Sequence, residues 1–434
     1  MRRSHIFAAA IVASIVVLSI LSVMPRIGAS AGEIAHDSVL ISGDGSFTSA
    51  NGVVRGSGTV SDPFVIEGWN ISATSNHGIR VQNTDAYFVV RNVTVRGGSS
   101  DSDGIVLDRA NNVTILDCSI DDCSTGVSIV FSDNVALVGN RVSRCTYIGV
   151  YAQHCWNLSM EGNRVSSTSY LGTHIRECRG ATLEDNIFAG NAESAVRLER
   201  TSDSLLTGNQ FTYDNQGIEC MDCSSIVAEE NVFLANWYAS IHIMDSTYIT
   251  ISRNVISLNN VSGMILRDSA YVTIESNSLT RIYGEGIDLF QCDRATVFDN
   301  AVDNVSQGIR LEGTSNSSIE ENTVRNSSVC GLSLGDCSRV DVEWNTIEDN
   351  SIGIKLSRCK DVSVVNNTVI RNDLQAEDDN RGENHWDDLS YFPVEEDHVS
   401  ALLLVGAACA VGAFVVFVSI LVMRRKTRGI PPTP

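Results

Sequence analysis

Polar side chains of the kinds that bind or cleave sugars recur in the middle of the sequence at steps of 22 or 23 residues, or twice that. Arginines alternate with carboxylates, and aromatic residues stand nearby. Such a set suits a sugar chain, because rings stack on sugar faces while charged groups hydrogen-bond to hydroxyls or uronates. We therefore predict a ligand-binding face that contains Tyr151, Gln153, His174, Arg176, Arg197, Glu199, His242, Arg267 and Arg310. The aromatic residues predicted to wall it are Tyr147, Tyr170, Tyr213, Trp237, Tyr238 and Tyr283.

Three carboxylates on the same predicted face are candidates for catalysis: Glu199, Glu219 and Asp288. Hydrolysis of a glycosidic bond needs two carboxyl groups at about 5–5.5 Å or 6.5–9.5 Å. Glu199 and Glu219 fall one repeat apart and two positions out of phase, which is compatible with such a distance. Two alternatives to a binding face therefore stay open. One is a polysaccharide hydrolase or lyase, and the other is a structural envelope or adhesion rod with a solvated polar stripe.

Metal ligands are sparse in the sequence, and no cofactor is predicted apart from calcium. The turn "SSDSDG" places Asp101 and Asp103 as candidate calcium ligands, since Ca²⁺ takes carboxylate oxygens. Cys220 and Cys223 form a CxxC pair, but both fall on inward positions of one strand and corner, which favours a structural role. The histidines are scattered along the chain.

Asparagines that recur at a constant interval indicate the fold that positions these side chains. Each member follows the previous one after 22 or 23 residues, and a small residue, usually glycine, stands fourteen residues before it. Two earlier units keep the same offset, so thirteen units are present, and a period of this length is typical of a solenoid. The asparagines are Asn140, Asn163, Asn186, Asn209, Asn231, Asn254, Asn277, Asn300, Asn322, Asn345 and Asn367.

Within each unit apolar and polar residues alternate with the period of a β-strand. The sequence therefore predicts an all-β fold, a right-handed parallel β-helix of about 13 coils over residues 78–375. Leucine-rich repeats share the period, but a second β-branched alternation stands where their helix would be. Stacked asparagines can satisfy one another at a buried corner, where a lone amide would cost about 1–3 kcal/mol. Cys123 and Cys145 occupy the same position in successive coils, which predicts a possible disulfide.

Both ends of the chain carry membrane signals. Residues 1–31 resemble a signal peptide, with Arg2 and Arg3 before an apolar run and a small-residue cleavage site. Residues 399–423 are uncharged and long enough for a transmembrane helix, and the basic tail 424–434 is expected to stay cytoplasmic. This pattern predicts a single-pass membrane protein whose ectodomain is extracellular. Residues 33–77 are expected to cap the first coil, and residues 376–398 to form an acidic terminal cap and stalk.

The net charge of −21 excludes a nucleic-acid partner, which would require a basic face. The predicted partners are instead a polysaccharide or cell-envelope polymer and, through the C-terminal helix, the membrane.

The repeat "NxVxxxxxGIxLxxC/S" resembles that of the NosD-type β-helix proteins, also grouped as carbohydrate-binding and sugar-hydrolase repeats. The segments "GSGTVSDPFVIEGW" and "DLQAEDDNRGENHWDD" look like the start and the close of archaeal, surface-anchored members of this group. The resemblance implies the β-helix fold over nearly the whole ectodomain. The name-giving members of the family are periplasmic and assist the maturation of copper enzymes. This chain instead has a predicted membrane anchor, and its linear sequence shows no cluster of His and Met.

Overall fold

The computed structural model describes residues 34–73, 77–97 and 102–387. They form an all-β, right-handed parallel solenoid of about 14 turns, which confirms the predicted fold class. The additional turn begins in segment 34–42, which lacks the glycine–asparagine spacing. There β1 (Ile34–His36) and β2 (Val39–Ser42) pair in parallel with strands of the next coil.

The predicted signal peptide, transmembrane helix and cytoplasmic tail lie outside the described residues, as does the stalk beyond residue 387. Within the described residues, no helix is both long enough and apolar enough to cross a membrane.

Each coil contributes up to three strands, which stack into three rows. The glycine row starts at the small residue of each repeat; it comprises β2, β6 (Ile79–Thr84), β9 (Ile105–Ala110), β12 (Thr125–Val130), β15 (Ile148–Gln153), β18 (Leu171–Arg176), β21 (Ser194–Glu199), β24 (Gln216–Met221), β27 (Ala239–Met244), β30 (Ser262–Arg267), β37 (Cys330–Gly335), β40 (Ile352–Ser357) and β43 (Leu374–Asp378).

The middle row follows in each coil; it comprises β4 (Phe64–Glu67), β7 (Phe88–Arg91), β10 (Val113–Leu116), β13 (Val135–Val138), β16 (Leu158–Glu161), β19 (Thr182–Glu184), β22 (Ser202–Thr207), β25 (Ser224–Glu229), β28 (Thr247–Ser252), β31 (Ala270–Glu275), β33 (Asp293–Phe298), β35 (Ser315–Glu320), β38 (Ser338–Glu343), β41 (Lys360–Val365) and β44 (His385–Trp386).

The asparagine row consists of short strands after the recurring asparagines; it comprises β1, β5 (Trp69–Ala73), β8 (Thr94–Gly97), β11 (Ser119–Asp121), β14 (Arg141–Ser143), β17 (Arg164–Ser166), β20 (Ile187–Ala189), β23 (Gln210–Thr212), β26 (Val232–Leu234), β29 (Val255–Ser257), β36 (Thr323–Arg325), β39 (Thr346–Glu348) and β42 (Thr368–Ile370). In two coils this strand continues into the glycine row, as β32 (Ser278–Phe290) and β34 (Ala301–Glu312).

The core is a set of columns in which like residues stack from coil to coil. Inward positions alternate with outward ones along every strand, so the interior receives the β-branched and leucine side chains. Phe188, Phe211 and Phe233 stack with ring centroids 5.1 and 4.7 Å apart. Removing one such ring would cost about 3–5 kcal/mol, because the neighbouring coils cannot close the gap.

The eleven recurring asparagines form one buried column at the corner between the middle and asparagine rows. The backbone N–H and Nδ2 of Asn254 both donate to Oδ1 of Asn277, at 2.9 and 3.0 Å. Asn277 repeats this toward Asn300 and also donates through Nδ2 to the carbonyl of Ile251 at 2.9 Å. Each amide is therefore satisfied by its neighbours, and the column holds the register of every coil.

A second polar column, not predicted from the sequence, lies five residues after the asparagines. Asn191, Asp214, Asn236 and Asn259 stack in it, and each backbone N–H donates to the side-chain oxygen of the next member at 2.7–3.3 Å. Asn350 and Asn372 continue the pattern near the end of the rod. The constant five-residue offset was visible in the sequence, but only some coils carry an amide there.

The ends of the solenoid are closed differently. At the first coil β3 (Val53–Arg55) pairs antiparallel with β4, next to two short 3₁₀ helices (Asp44–Ser46 and Ser49–Asn51). Phe47 stacks on Phe64 there at 4.4 Å. At the last coil the Trp386 indole N–H donates to Asp378 at 2.8 Å.

Candidate functional site

The glycine row carries two parallel stripes of outward side chains, which we call the outer face. Strand register places them side by side, since Tyr151 pairs with His174 and Arg176 with Glu199. The inner stripe, next to the preceding turn, contains Tyr151, His174, Arg197, Glu219, His242, Ile265, Asp288 and Arg310. The outer stripe contains Gln153, Arg176, Glu199, Met221, Met244, Arg267, Phe290 and Glu312. The structure therefore brings all the predicted ligand-binding residues onto one face.

The centre of the inner stripe is buried, although it points away from the core. Glu219, His242 and Asp288 are only 5–8% exposed. The turn residue Tyr170 lies against Arg197, and Gln216, the first residue of β24, lies against His242. Strand alternation assigns these positions to solvent, so the sequence could not predict their burial.

Arg197 and Glu219 form a buried ion pair. The Arg197 Nε donates to Glu219 Oε2 at 2.7 Å, and the Ser194 hydroxyl donates to the same oxygen. A second guanidinium nitrogen donates to the Tyr170 hydroxyl at 3.2 Å. Burial is the largest single influence and lowers the pKa of Arg197, but the hydrogen bonds and charge interactions with Glu219 and Tyr170 together outweigh it and raise the pKa of the guanidinium.

Glu199 is surrounded by two arginines and a histidine. Its carboxylate lies 3.2 Å from His174 Nε2, 3.5 Å from Arg176 Nε and 2.6 Å from an Arg200 nitrogen. Burial lowers the pKa of His174 below its ordinary value, although Glu199 acts in the opposite direction. His174 is therefore a neutral hydrogen-bonding group at pH 7.

Asp288 accepts a hydrogen bond from Arg310 at 3.0 Å, and Arg310 also donates to Glu312 at 3.2 Å. Burial raises the pKa of Asp288, although Arg310 opposes the shift. All three candidate catalytic carboxylates thus form hydrogen bonds or ion pairs with neighbouring cations. An arrangement of this kind orients donors and acceptors for a ligand, and it favours binding.

The two remaining charged or aromatic candidates are more accessible. Arg267 is exposed, with its guanidinium carbon 5.7 Å from the Phe290 ring centroid. Tyr151 is half-buried, and its hydroxyl donates to Gln153 at 2.7 Å. Arg267 is therefore a cation that a ligand can reach without breaking an ion pair observed among the described residues.

His242 differs from its neighbours because one ring nitrogen has no partner. Its Nδ1 lies 2.8 Å from Oε1 of Gln216, and the Tyr238 ring meets the imidazole edge-on at 5.7 Å. The Nε2 atom is buried and makes no hydrogen bond. Burial lowers the pKa of His242, while Glu219 opposes this, so the ring is neutral at pH 7.

Two methionines that the sequence reasoning missed flank this histidine. Met221 and Met244 are register partners on β24 and β27, and both are half-buried. Met244 lies two residues after His242 on the same face of the same strand. The signal in the sequence was their separation of 23 residues, which is one repeat.

The turn aromatics lie between the asparagine and glycine rows, along one border of the outer face. We call Tyr147, Tyr170, Tyr213, Trp237, Tyr238 and Tyr283 the aromatic ridge. Tyr147 and Tyr170 are parallel, with centroids 5.4 Å apart. Tyr213, Trp237 and Tyr283 are 71, 65 and 80% exposed, so these coils present flat apolar rings to solvent.

The cysteine candidates lie in the core. Cys123 and Cys145 are buried free thiols, so the disulfide considered from the sequence is not formed. Their thiols contact the carbonyls of Asp121 and Ser143 within their own coils instead. Cys220 and Cys223 are likewise buried and free.

Of the two candidate calcium ligands, the structure describes Asp103, whereas Asp101 lies outside the described residues. Asp103 accepts the backbone N–H of Thr125 at 3.1 Å and lies 3.7 Å from His77. Among the described residues, no three His, Cys, Asp or Glu side chains are grouped as metal ligands.

Comparison with solved structures finds other β-helix proteins at low sequence identity. The periplasmic alginate epimerase AlgG is 13% identical with a TM-score of 0.44, over 75% of this chain and 85% of that one. The Dettilon tailspike protein is 16% identical with a TM-score of 0.41, over 73% and 62%. PfbA, a surface adhesin of Streptococcus pneumoniae, is 12% identical with a TM-score of 0.43, over 69% and 81%. No individually curated protein matches the sequence.

Two family models match the chain. The model of the right-handed beta helix region matches residues 148–300. The model described as periplasmic copper-binding protein (NosD) matches residues 37–214 and 262–391, which is well over half of the chain. The chain therefore belongs to the NosD family of right-handed parallel β-helix proteins.

Proposed function

We propose that this protein binds a polysaccharide along its outer face. The observation that carries the proposal is the aromatic ridge, which runs beside a stripe of hydrogen-bonded Arg–carboxylate groups. At about 4.8 Å per coil, the ridge from Tyr147 to Tyr283 extends about 30 Å along the rod. Aromatic rings supply stacking surfaces for sugar rings, and the charged stripe supplies directed donors and acceptors for their hydroxyls or carboxylates.

The pairing of the charged groups favours binding over the alternatives of hydrolysis and elimination. Glu219 is held by Arg197, and Glu199 by Arg176 and Arg200, so both carboxylates are already engaged by cations. A purely structural rod would not need several strongly exposed aromatic residues on one border. Isolated exposed rings are common, but a row of them marks an interaction surface.

The test uses the full-length chain on a polysaccharide array that contains neutral and uronate polymers. We expect the double variant Tyr147→Ala/Tyr170→Ala to bind the retained polymer about 10-fold more weakly, because two stacking surfaces are lost. The matched control is Tyr248→Ala/Tyr271→Ala, a stacked pair at 4.7 Å on the middle row. Equal losses in both variants, or no retention of the wild-type chain on any polymer, would refute the proposal.

Arg267→Ala probes the charged stripe. Arg267 is exposed, so its removal leaves no buried carboxylate unpaired. Arg197→Ala would instead leave the buried Glu219 without its partner, and the resulting loss of stability would mask any effect on binding. Weaker retention of uronate polymers by Arg267→Ala, with neutral polymers unaffected, would assign an anionic sugar to this part of the face.

We also propose that residues 399–423 anchor the rod to a membrane, with the β-helix outside the cell. The support is the length of the uncharged run and the basic residues that follow it. Resistance of the full-length chain to alkaline carbonate extraction is the expected result, together with protease access to the β-helix in intact cells. Release by carbonate would contradict the anchor.

A further inference from the structure

The last coils carry a groove on the same border of the outer face as the aromatic ridge. Its volume is about 490 Å³, and it lies in the turns between the asparagine and glycine rows. One wall consists of residues four positions after the recurring asparagines, namely Asn326, Asp349 and Arg371. The other consists of residues six positions after them, namely Ser328, Ser351 and Asp373. Trp237 and Tyr283 of the ridge occupy that second position in earlier coils, so the groove continues the ridge toward the C-terminus.

The turns that build the groove stack on one another. The backbone N–H groups of Ser351 and Asp373 donate to the carbonyls of Ser327 and Asn350 in the preceding coil, both at 3.1 Å. Like positions in successive coils are about 4.8 Å apart, so three coils make the groove about 10 Å long. Its volume lies within the range of about 300–1,000 Å³ that is usual for sites that bind small molecules.

The floor of the groove contains an unsatisfied polar group. Ser327 and Asn350 line the cavity between the two walls. The Asn350 amide is engaged, since its Nδ2 donates to Asn372 at 3.0 Å and to the carbonyl of Val324 at 3.2 Å. Ser327 is only 2% exposed, and its hydroxyl has no hydrogen-bond partner. Because buried hydroxyls are nearly always paired, Ser327 marks a place where a ligand can supply the missing partner.

The one cation that lines the groove is already paired. Arg371 donates through Nε and a terminal nitrogen to the two carboxylate oxygens of Asp349, both at 2.8 Å, and that nitrogen also donates to Glu348 at 2.6 Å. On the opposite wall, the two serine hydroxyls and the Asp373 carboxylate make no hydrogen bond or ion pair with the part of the chain that the structure describes. The groove therefore offers a ligand a free carboxylate and free hydroxyls, but no free cation.

We propose that this groove binds an uncharged sugar unit of the polymer that lies along the outer face, an inference that rests on the proposed function. Sugar hydroxyls can donate to the Asp373 carboxylate and exchange hydrogen bonds with the serine hydroxyls. A uronate would instead bring its carboxylate toward Asp373 with no free cation to offset the repulsion, and this discriminates against it. A chain stacked on Tyr283 reaches Ser328 after two coils, which is about 10 Å.

The test uses sugars short enough to fit the groove alone. Neutral trisaccharides of glucose, mannose and galactose, and a trisaccharide of galacturonate, are titrated into the full-length chain. Saturation-transfer NMR is the readout because it detects weak binding. We expect a neutral trisaccharide to bind, and the galacturonate trisaccharide to bind at least about 10-fold more weakly because of its charge.

Variants locate the site and its selectivity. Asp373→Ala should weaken binding of the neutral trisaccharide about 10-fold, because a charged acceptor is lost. Asp373→Asn should strengthen binding of the galacturonate trisaccharide about 10-fold, because the repulsion is removed. Asp341→Asn is the matched control, since it removes the same charge from an exposed position on β38 of the middle row, and it should change neither affinity.

Three results would overturn the inference: no binding of any neutral trisaccharide, equal binding of the galacturonate trisaccharide, or wild-type affinity in Asp373→Ala. Trisaccharide binding by a chain that retains no polymer on the array would reject only the polysaccharide proposal. Polymer retention that depends on Tyr147 and Tyr170, without trisaccharide binding, would reject only the groove.

Discussion

At the scale of single residues, the two polar columns show how a repeated amide can be buried at low cost, because each finds its hydrogen-bond partners in the neighbouring coil. Every asparagine of the first column except the last, Asn367, donates to the next one, and every member donates to a backbone carbonyl, so no side-chain amide depends on water. Asp214 is the exception in the second column, because a carboxyl group stands where its neighbours carry amides. Its Oδ1 accepts from Asn191 at 2.9 Å, while Oδ2 is buried without a partner.

Burial raises the pKa of Asp214 from 3.8 to about 7, and hydrogen bonds from Asn191 only partly oppose the shift. The folded protein therefore holds this proton more tightly than the unfolded chain does. The contribution of Asp214 to the free energy of unfolding is consequently full below about pH 4. It is lost as the pH rises to about 7 and changes little above that.

Asp214→Asn should remove this pH dependence, since an amide can donate to Asn236 at every pH. We expect the variant to be more stable than wild type by on the order of 3 kcal/mol at pH 8 and by almost nothing at pH 4. Chemical denaturation at the two pH values checks this. Asp222→Asn, at an exposed position, is the control and should show no such difference; a pH-independent gain at position 214 would contradict the assignment.

At the scale of elements, the coils differ in length at one place only. Between the second polar column and the small residue that starts the glycine row, Asp214 and Gly217 are three positions apart, whereas Asn236 and Ser240 are four apart. The same one-residue difference separates every 22-residue coil from a 23-residue coil. This turn therefore absorbs length changes, while the strands keep their register.

Deletion of Val261, an exposed residue of this turn, should convert a 23-residue coil to a 22-residue coil. We expect a loss of less than about 1 kcal/mol. Deletion of Thr250 within β28 should instead cost more than about 4 kcal/mol, because a one-residue slip turns the inward side chains outward. Thermal unfolding of the two variants compares them, and equal destabilisation would mean that the turn has no tolerance for length.

The elements also show how far the sequence could predict the site. Period and alternation were sufficient for the rows, the asparagine column and the residues that share the outer face. They could not predict that Gln216, at the start of β24, and the turn residue Tyr238 lie against that face and bury His242, because the packing of these two side chains does not follow the repeat. The pairing of Met221 with Met244 follows from the 23-residue period, since the two methionines are one repeat apart.

At the scale of the molecule, each coil contacts only its neighbours, so stability is close to a sum over coils and their interfaces. Removing a whole unit should therefore shorten the rod without unfolding it. Deletion of residues 255–277 joins Asn254 to Ser278 and restores the asparagine column across the junction. We expect a native circular dichroism spectrum and a maximum dimension about 4.8 Å smaller by small-angle X-ray scattering.

The control for that experiment is deletion of residues 255–265, which removes about half a coil and brings unlike positions together. It should abolish cooperative unfolding. Collapse of both variants would show that distant coils are coupled more strongly than nearest-neighbour contacts allow.

The antiparallel pairing of β3 with β4 at the first coil has a consequence for how the protein is made. Domains generally fold from the N-terminus as the chain emerges during synthesis. The first coil, where β3 pairs with β4, is therefore completed first. The solenoid then lengthens toward the C-terminus as each new coil pairs with the one before it. Throughout synthesis the most recently formed coil exposes the unpaired edges of its strands. These edges are covered only when the segment around Trp386 arrives, so an interrupted chain would carry a sticky terminus at whichever coil it had reached.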